Sequence, residues 1–304
     1  NETLPKGRKQ KTTALYDRFV NQGAVMGDSF GLENVLWFAN NKEDAHEEPT
    51  IKRSRSHDYV SKEVINVREN VGLIEVANFS KHEFKGPDAR KFLDHIMAGR
   101  LPKPGRISLS PMLSYRGKLC GDLTVACLDE NEFMVFGSGA AQEMHRRWFE
   151  SHLDKFNLSY SNRSDEYHGL SIAGPNSRKV LEKIVRDDVS NEKFKFRDSR
   201  RMFVGGVPAI INRISFTGEL GYEIYVAPHY QLKLYEELME AGKEFNIKPF
   251  GGRALMSMRL EKNWGAWTLD YRPDFTAKET GLDAFINWDK EFIGKESAQK
   301  ENSS

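Results

Sequence analysis

At 304 residues the chain exceeds what one hydrophobic core usually fills, so two domains of roughly 100 to 150 residues are expected. Lys+Arg 45 against Asp+Glu 44 leaves a formal net charge of +1, which removes any overall electrostatic ground for nucleic-acid or acidic-membrane binding. With 39% hydrophobic and 11% aromatic residues and well-mixed charge, the composition also excludes a disordered chain.

Residues 1–14 are polar and aperiodic and predict a tail; its basic run Lys6 to Lys11 lacks interleaved aromatics and reads as solvated rather than as a nucleic-acid patch. Tyr16 to Phe38 predicts a short amphipathic helix and an aromatic turn, and 40–56 a linker. A helix is expected over 57–70, strands over 72–76 and 81–84, and a helix over 88–98 with Phe92, Leu93 and Ile96 on one face. Strands follow at 106–113, 119–128 and 132–137, then a helix over 140–156 with Met144, Trp148, Phe149 and Leu153 inward. A second series runs as strand 167–173, helix 175–186, strands 200–204, 207–216 and 221–226, and helices 228–245 and 251–261.

An internal repeat organises these elements. Gly86-Pro87-Asp88-Ala89-Arg90-Lys91 recurs as Gly174-Pro175-Asn176-Ser177-Arg178-Lys179, in each case a strand meeting Gly-Pro, a capping Asp or Asn, and a helix. Downstream, Gly117 precedes Asp122 as Gly218 precedes Glu223, each with four residues between and each acid in an apolar strand. The chain therefore predicts an α+β architecture of two similar units, 57–162 and 163–290, with an N-terminal segment and linker over 1–56 and a short remainder over 291–304. If the units pack about a pseudo-twofold axis, the two carboxylates can face one shared cleft and bind a nitrogenous ligand; two exposed strand acids would give the same pattern.

Other features carry less. Gly137-Ser138-Gly139-Ala140-Ala141-Gln142 mimics a dinucleotide loop, but its last position is Gln and the preceding strands read as a hairpin. His145 and His152 read as surface or half-buried residues on a charged helix, with no metal implied. Cys120 and Cys127, seven apart in a strand, fall on opposite faces, which argues against a local disulfide or metal pair and for a reducing compartment. No run of about 18 apolar residues and no apolar signal core are present, so a cytoplasmic chain is expected, or a matrix one in a mitochondrion. The absent initiator Met and the polar end Lys300-Glu301-Asn302-Ser303-Ser304 predict a fragment of a longer protein.

Ser215-Phe216-Thr217-Gly218-Glu219-Leu220-Gly221-Tyr222-Glu223-Ile224-Tyr225-Val226 is the most specific segment. With Gly252-Arg253 and Arg259-Leu260-Glu261 it resembles the folate-binding family of the glycine-cleavage T-protein, an aminomethyltransferase. Asn78-Phe79-Ser80-Lys81, Pro111-Met112-Leu113, Tyr271-Arg272-Pro273-Asp274 and Phe292-Ile293-Gly294-Lys295 look like the dimethylglycine and sarcosine dehydrogenase branch. The resemblance covers roughly 15–39 and 57–296 and implies the T-protein folate-binding fold, with its C-terminal β-rich domain absent from this sequence.

Carried over residue by residue, the resemblance makes Glu223 the pterin-binding acid and Asp122 the catalytic acid beside the folate nitrogens that take up the one-carbon unit. Phe216, Tyr222 and Arg253 join the cofactor-binding set, Arg253 as a bidentate cation suited to a carboxylate. Three departures set the chain apart from T-proteins: Phe216 and Leu109 stand where those proteins carry Tyr, and Gly121 replaces the first member of their Asp pair. These favour the dehydrogenase branch, whose FAD domain has no counterpart here, so FAD is expected only in a further domain or a flavoprotein partner. The expected function is a tetrahydrofolate-binding acceptor of a methylamine-derived one-carbon unit, forming 5,10-methylenetetrahydrofolate; the alternatives are a non-catalytic folate-binding or regulatory protein of the same fold and a glycine-cleavage aminomethyltransferase.

Overall fold

The computed structural model describes residues 6–46 and 50–302; the parts of the expected tail, linker and C-terminal remainder at 1–5, 47–49 and 303–304 lie outside them. Chain order begins with α1 (Tyr16–Asn21), the hairpin β1 (Ala24–Ser29) and β2 (Leu32–Phe38), α2 (Ser56–Glu69) and β3 (Val71–Glu75). It continues through β4 (Phe79–Lys85), α3 (Ala89–Ile96), β5 (Arg106–Leu113), β6 (Leu119–Asp129), β7 (Glu132–Ser138), α4 (Gln142–Glu150) and β8 (Ser159–Asn162). The repeat copy supplies β9 (His168–Ala173), α5 (Ser177–Ile184), β10 (Ser199–Val204), β11 (Val207–Asn212), β12 (Gly221–Val226), α6 (Gln231–Ala241), β13 (Ile247–Pro249) and α7 (Gly252–Glu261), and α8 (Lys295–Asn302) closes the chain.

The chain forms two units of α+β class. One combines the described residues up to Asn78 with Asp165–Phe196 and Arg201–Trp264; the other combines Phe79–Ser164, Arg197–Arg200 and the residues from Gly265. The boundaries 57–162 and 163–290 are therefore corrected, because the two copies exchange segments. β3 runs antiparallel to β9 on one side and parallel to β13 on the other, in a sheet of order β10-β11-β12-β9-β3-β13. Four of its five residues are buried, so both its ladder hydrogen bonds and its apolar side chains are satisfied there. The other unit carries the five-stranded sheet β5-β6-β7-β4-β8.

Each sheet packs one face on a helix pair or helix. In the first unit Tyr222, Ile224 and Val226 of β12 share a core with Val180 and Leu181 of α5 and Leu234 and Leu238 of α6. In the second, Leu123, Val125 and Cys127 of β6 pack with Phe92, Leu93 and Ile96 of α3, the face the sequence assigns inward. Full burial of a Leu or Phe side chain contributes about 1.5–3 kcal/mol, so these two stripes hold the helices on their sheets.

The repeated helix entries work differently from the capping expected. Gly86 and Gly174 take φ of 136° and 130°, a region closed to residues with a Cβ, and Ala89 N–H and Ser177 N–H bond back to their carbonyls at 3.0 and 3.1 Å. Asp88 instead accepts from the amide of Asn157 and Asn176 from Lys179, so neither side chain caps its helix. The basic tail is also partly fixed: Arg8 grips the buried Glu33 through two nitrogens, and Lys11 N–H bonds to the Gly31 carbonyl. The helix expected over 140–156 ends at Glu150, where Ser151 Oγ bonds to the Trp148 carbonyl; Phe149 faces inward as expected, but Met144 is exposed and His145 is buried in its stead.

Glu63 of α2 joins three segments. Its carboxylate accepts the amide of Phe38 at the end of β2 (2.7 Å) and that of Gly251 before α7 (2.9 Å), and burial pushes its pKa up to about 7. Glu63→Gln presents an amide donor to one of those amides and should lower stability by about 1–3 kcal/mol. The folded carboxyl keeps its proton to about pH 7 while the unfolded one releases it near 4.5, so its contribution is fully present below the unfolded value and is lost as pH rises through about 7. Denaturant titrations of both proteins should show the gap shrinking over that window; a pH-independent gap would contradict the assignment.

Candidate functional site

Glu223 sits on β12, third in its six-stranded sheet and buried at every position. Strand alternation sends Tyr222, Ile224 and Val226 into the helix-covered core and leaves Glu223 and Tyr225 on the other face. On that face Glu223 stands opposite Asn212 of β11 and Ser171 of β9, a buried polar row across three strands. The Tyr225 hydroxyl donates to Glu223 Oε2 at 2.8 Å. Glu223 is 7% exposed and Tyr225 wholly buried, and burial together with the neighbouring carboxylate pushes the phenol pKa well up, so Tyr225 stays a donor. Motif reasoning alone misses Tyr225, although its two-residue offset from Glu223 in a strand is the signal that could find it.

Phe216 lies in the loop after β11, because the strand expected over 207–216 ends at Asn212. That loop is shaped by its own side chains: Ser215 and Thr217 hydroxyls meet at 2.7 Å, and Thr217 Oγ1 accepts the amide of Glu219 at 3.2 Å. Phe216 is half-buried. Tyr222 is placed otherwise than expected. It faces the core, stacked on Phe194 with ring centroids 5.9 Å apart, and alternation turns it away from Glu223. Arg253 is half-buried in the first turn of α7, a helix packed against α2 and β2.

Asp122 belongs to the second unit. It lies on β6 opposite Pro111 of β5, with Leu123 and Val125 directed to the α3 core and Leu109 on the same face as Asp122. The residue keeps some exposure, yet its carboxyl is enclosed by protein, and burial pushes its pKa up to about 7 against a single bond from its own amide. Such a carboxyl changes charge near neutrality, which a proton-handling or charge-stabilising group requires.

Next to it a ring fills the space beside a glycine. A Cβ on Gly121 would lie 2.8 Å from His145 Nε2, so the imidazole from α4 occupies the space a residue at 121 would use. His145 Nε2 donates to the Cys120 carbonyl at 3.0 Å, and burial lowers its pKa to about 4, so it is a neutral, fully buried histidine and not the surface or half-buried residue expected. His82, with Nδ1 2.9 Å from the Tyr160 hydroxyl, stands with its ring centre 6.2 Å from that of His145. The dinucleotide-loop mimic resolves as the hairpin β6–β7 running into α4, its strands antiparallel.

The family model described as the GCVT N-terminal domain matches residues 15–290. The chain belongs to this family. Among curated relatives of this GCVT-domain chain, human mitochondrial dimethylglycine dehydrogenase is 34% identical over 296 residues, 96% of the chain but 34% of that protein. An aminomethyltransferase of Desulfitobacterium hafniense (strain Y51) is 29% identical over 96% of the chain and 75% of its own length. The chain thus spans about a third of the dehydrogenase and three quarters of the transferase, and both relatives are enzymes. Its fold matches the crystal structure of glycine cleavage system aminomethyltransferase T from Bartonella henselae, with a TM-score of 0.81 at 22% identity over 97% of the chain and 75% of that one. No helix among the described residues of the GCVT-domain chain is long and apolar enough to cross a membrane.

Carbon-13 NMR of the side-chain carboxyls should show Asp122 titrating near pH 7, with the signal lost in Asp122→Asn. A midpoint in the ordinary aspartate range would show that the carboxyl is solvated.

Proposed function

We propose that the chain binds tetrahydrofolate and serves as a one-carbon acceptor in the manner of the dimethylglycine dehydrogenase branch. The observation that supports this most is Glu223: a buried carboxylate on a sheet face, steadied by the Tyr225 hydroxyl, suits a ligand edge made of adjacent N–H donors. The 2-amino group and N3–H of a reduced pterin form such an edge. An acceptor-only residue at low exposure also discriminates against ligands without those donors, since it would then be buried without compensation. Half-buried Phe216 offers a ring face to a flat heterocycle, and Arg253 a fixed cation to a carboxylate. Tyr222, turned into the core, has no part in this assignment.

Tetrahydrofolate supplies the two nitrogens, N5 and N10, that take up the one-carbon unit as 5,10-methylenetetrahydrofolate. The protein's own contributions are binding and charge. Glu223, in its unit, suits orientation of the ring edge; Asp122, in the other unit and ionised above about pH 7, has the charge that would stabilise a developing cation. Gly121 with His145 behind it leaves Asp122 as the single acid of that strand segment, with a neutral neighbour that neither repels its charge nor competes for the proton. Oxidation of the methylamine itself belongs to flavin chemistry outside this chain.

Binding and chemistry should separate by residue. In single turnover with formaldehyde and tetrahydrofolate, corrected for the unaided condensation, Asp122→Asn should slow capture by roughly 10²-fold with affinity little changed. Glu223→Gln should weaken tetrahydrofolate binding by about 2 kcal/mol and leave the saturated rate nearly intact. The parent rate should rise with pH through about 7 and then level, and this rise should vanish in Asp122→Asn. Equal rates for Asp122→Asn and parent would leave a protein that binds folate without acting on it.

A further inference from the structure

The loop that carries Phe216 is tied at two points to charged side chains outside it. Lys262, the first residue beyond α7, donates from Nζ to the Ser215 carbonyl at 2.9 Å, and its Cβ approaches within 3.4 Å of where a side chain at Gly218 would begin. Arg68, in the last turn of α2, reaches Glu219 through one guanidinium nitrogen and Glu261 of α7 through the other, the second bond measuring 2.5 Å. A single exposed ion pair contributes little, but the Glu219 side chain is only 25% exposed, and both ties converge on the span from Ser215 to Glu219. Between them, the internal hydroxyl bonds of Ser215 and Thr217 leave the span few alternative conformations.

We propose that Arg68 and Lys262 form a cationic latch that holds the Ser215–Glu219 loop in one conformation and thereby positions the Phe216 ring for the flat ligand whose edge Glu223 accepts. They are positioning residues: each acts through the loop. The ligand half of the proposal rests on the tetrahydrofolate reading above, whereas the latch is a property of the protein alone. Lys262 is an exposed residue, yet partial burial of its ammonium lowers its pKa and the charge of Glu223 offsets part of that effect, so the group stands within electrostatic reach of Glu223. Trp264 adds an aromatic face 5.2 Å from the same nitrogen. A loop ordered before the ligand arrives removes an entropic cost from binding, so the latch should appear in affinity.

The test measures loop and ligand separately. Hydrogen exchange of the Thr217 and Glu219 amides, both bonded within the loop, is followed without ligand in the parent, Lys262→Met, Arg68→Met and Lys262→Arg, with Glu219→Gln breaking the Arg68 tie from the loop side should Arg68→Met not fold. Exchange should quicken about tenfold in Lys262→Met and Arg68→Met, the dissociation constant for tetrahydrofolate should rise by a similar factor, and Lys262→Arg, which keeps a donor to the Ser215 carbonyl, should restore both. Unchanged exchange would overturn the latch whatever the ligand does. Faster exchange with unchanged affinity would overturn its positioning role. A parent protein with slow loop exchange and no tetrahydrofolate binding would sink the functional reading and leave the latch.

Discussion

The chemistry of this chain hangs on the period of two in a strand buried on both faces. β12 must send alternate residues to opposite sides of its sheet, and its helix-side residues, Tyr222, Ile224 and Val226, are held by the α5 and α6 core. Glu223 is thereby forced onto the other face with Tyr225, and no other register satisfies that core. A slip of one residue would bury the carboxylate among Phe194, Val180 and Leu234 and set three large apolar side chains against the buried polar row of Asn212 and Ser171. In the second unit the same rule acts on β6, where Leu123 and Val125 fix the side on which Asp122 emerges.

Around that constraint, polar groups define segments that apolar packing leaves free. Glu63 ties the end of β2 and the approach to α7 onto α2, which places Arg253 two residues beyond one of its hydrogen bonds. His145 fills the space that a side chain at 121 would need, so the glycine there and the inward turn of His145 on α4 are one arrangement. Glu63 through both carboxylate oxygens and His145 through Nε2 are buried and hydrogen-bonded, where removing one partner costs more than the net worth of the bond.

Legibility in the sequence follows the range of the interactions. The strand 221–226 is readable to the residue because apolar alternation and the flanking glycine are local, and the two acids stand out because the repeat puts them at equivalent places. The hairpin β1–β2 is not legible: its two-residue turn is Phe30-Gly31, both with positive φ, and a phenylalanine at φ 53° carries none of the usual Asn or Asp signal. The exchange of β3 between the repeat copies is hidden for another reason, since its partners β9 and β13 lie about a hundred or more residues away and only packing selects them. The motif assigns Tyr222 to the ligand, yet alternation next to Glu223 already contradicts that. Family membership, resting on residues 15–290, and the α+β fold agree with what the separated motifs imply.

The central claim is that Glu223 reads the amino-pyrimidine edge of a reduced pterin. Calorimetric titration with tetrahydrofolate and, in parallel, with its analogue lacking the 2-amino group tests it most directly. The account predicts that the parent protein binds tetrahydrofolate at least about tenfold more tightly than the analogue, and that Glu223→Ala removes the difference by weakening only the former. Equal affinity of the parent for both ligands would contradict it.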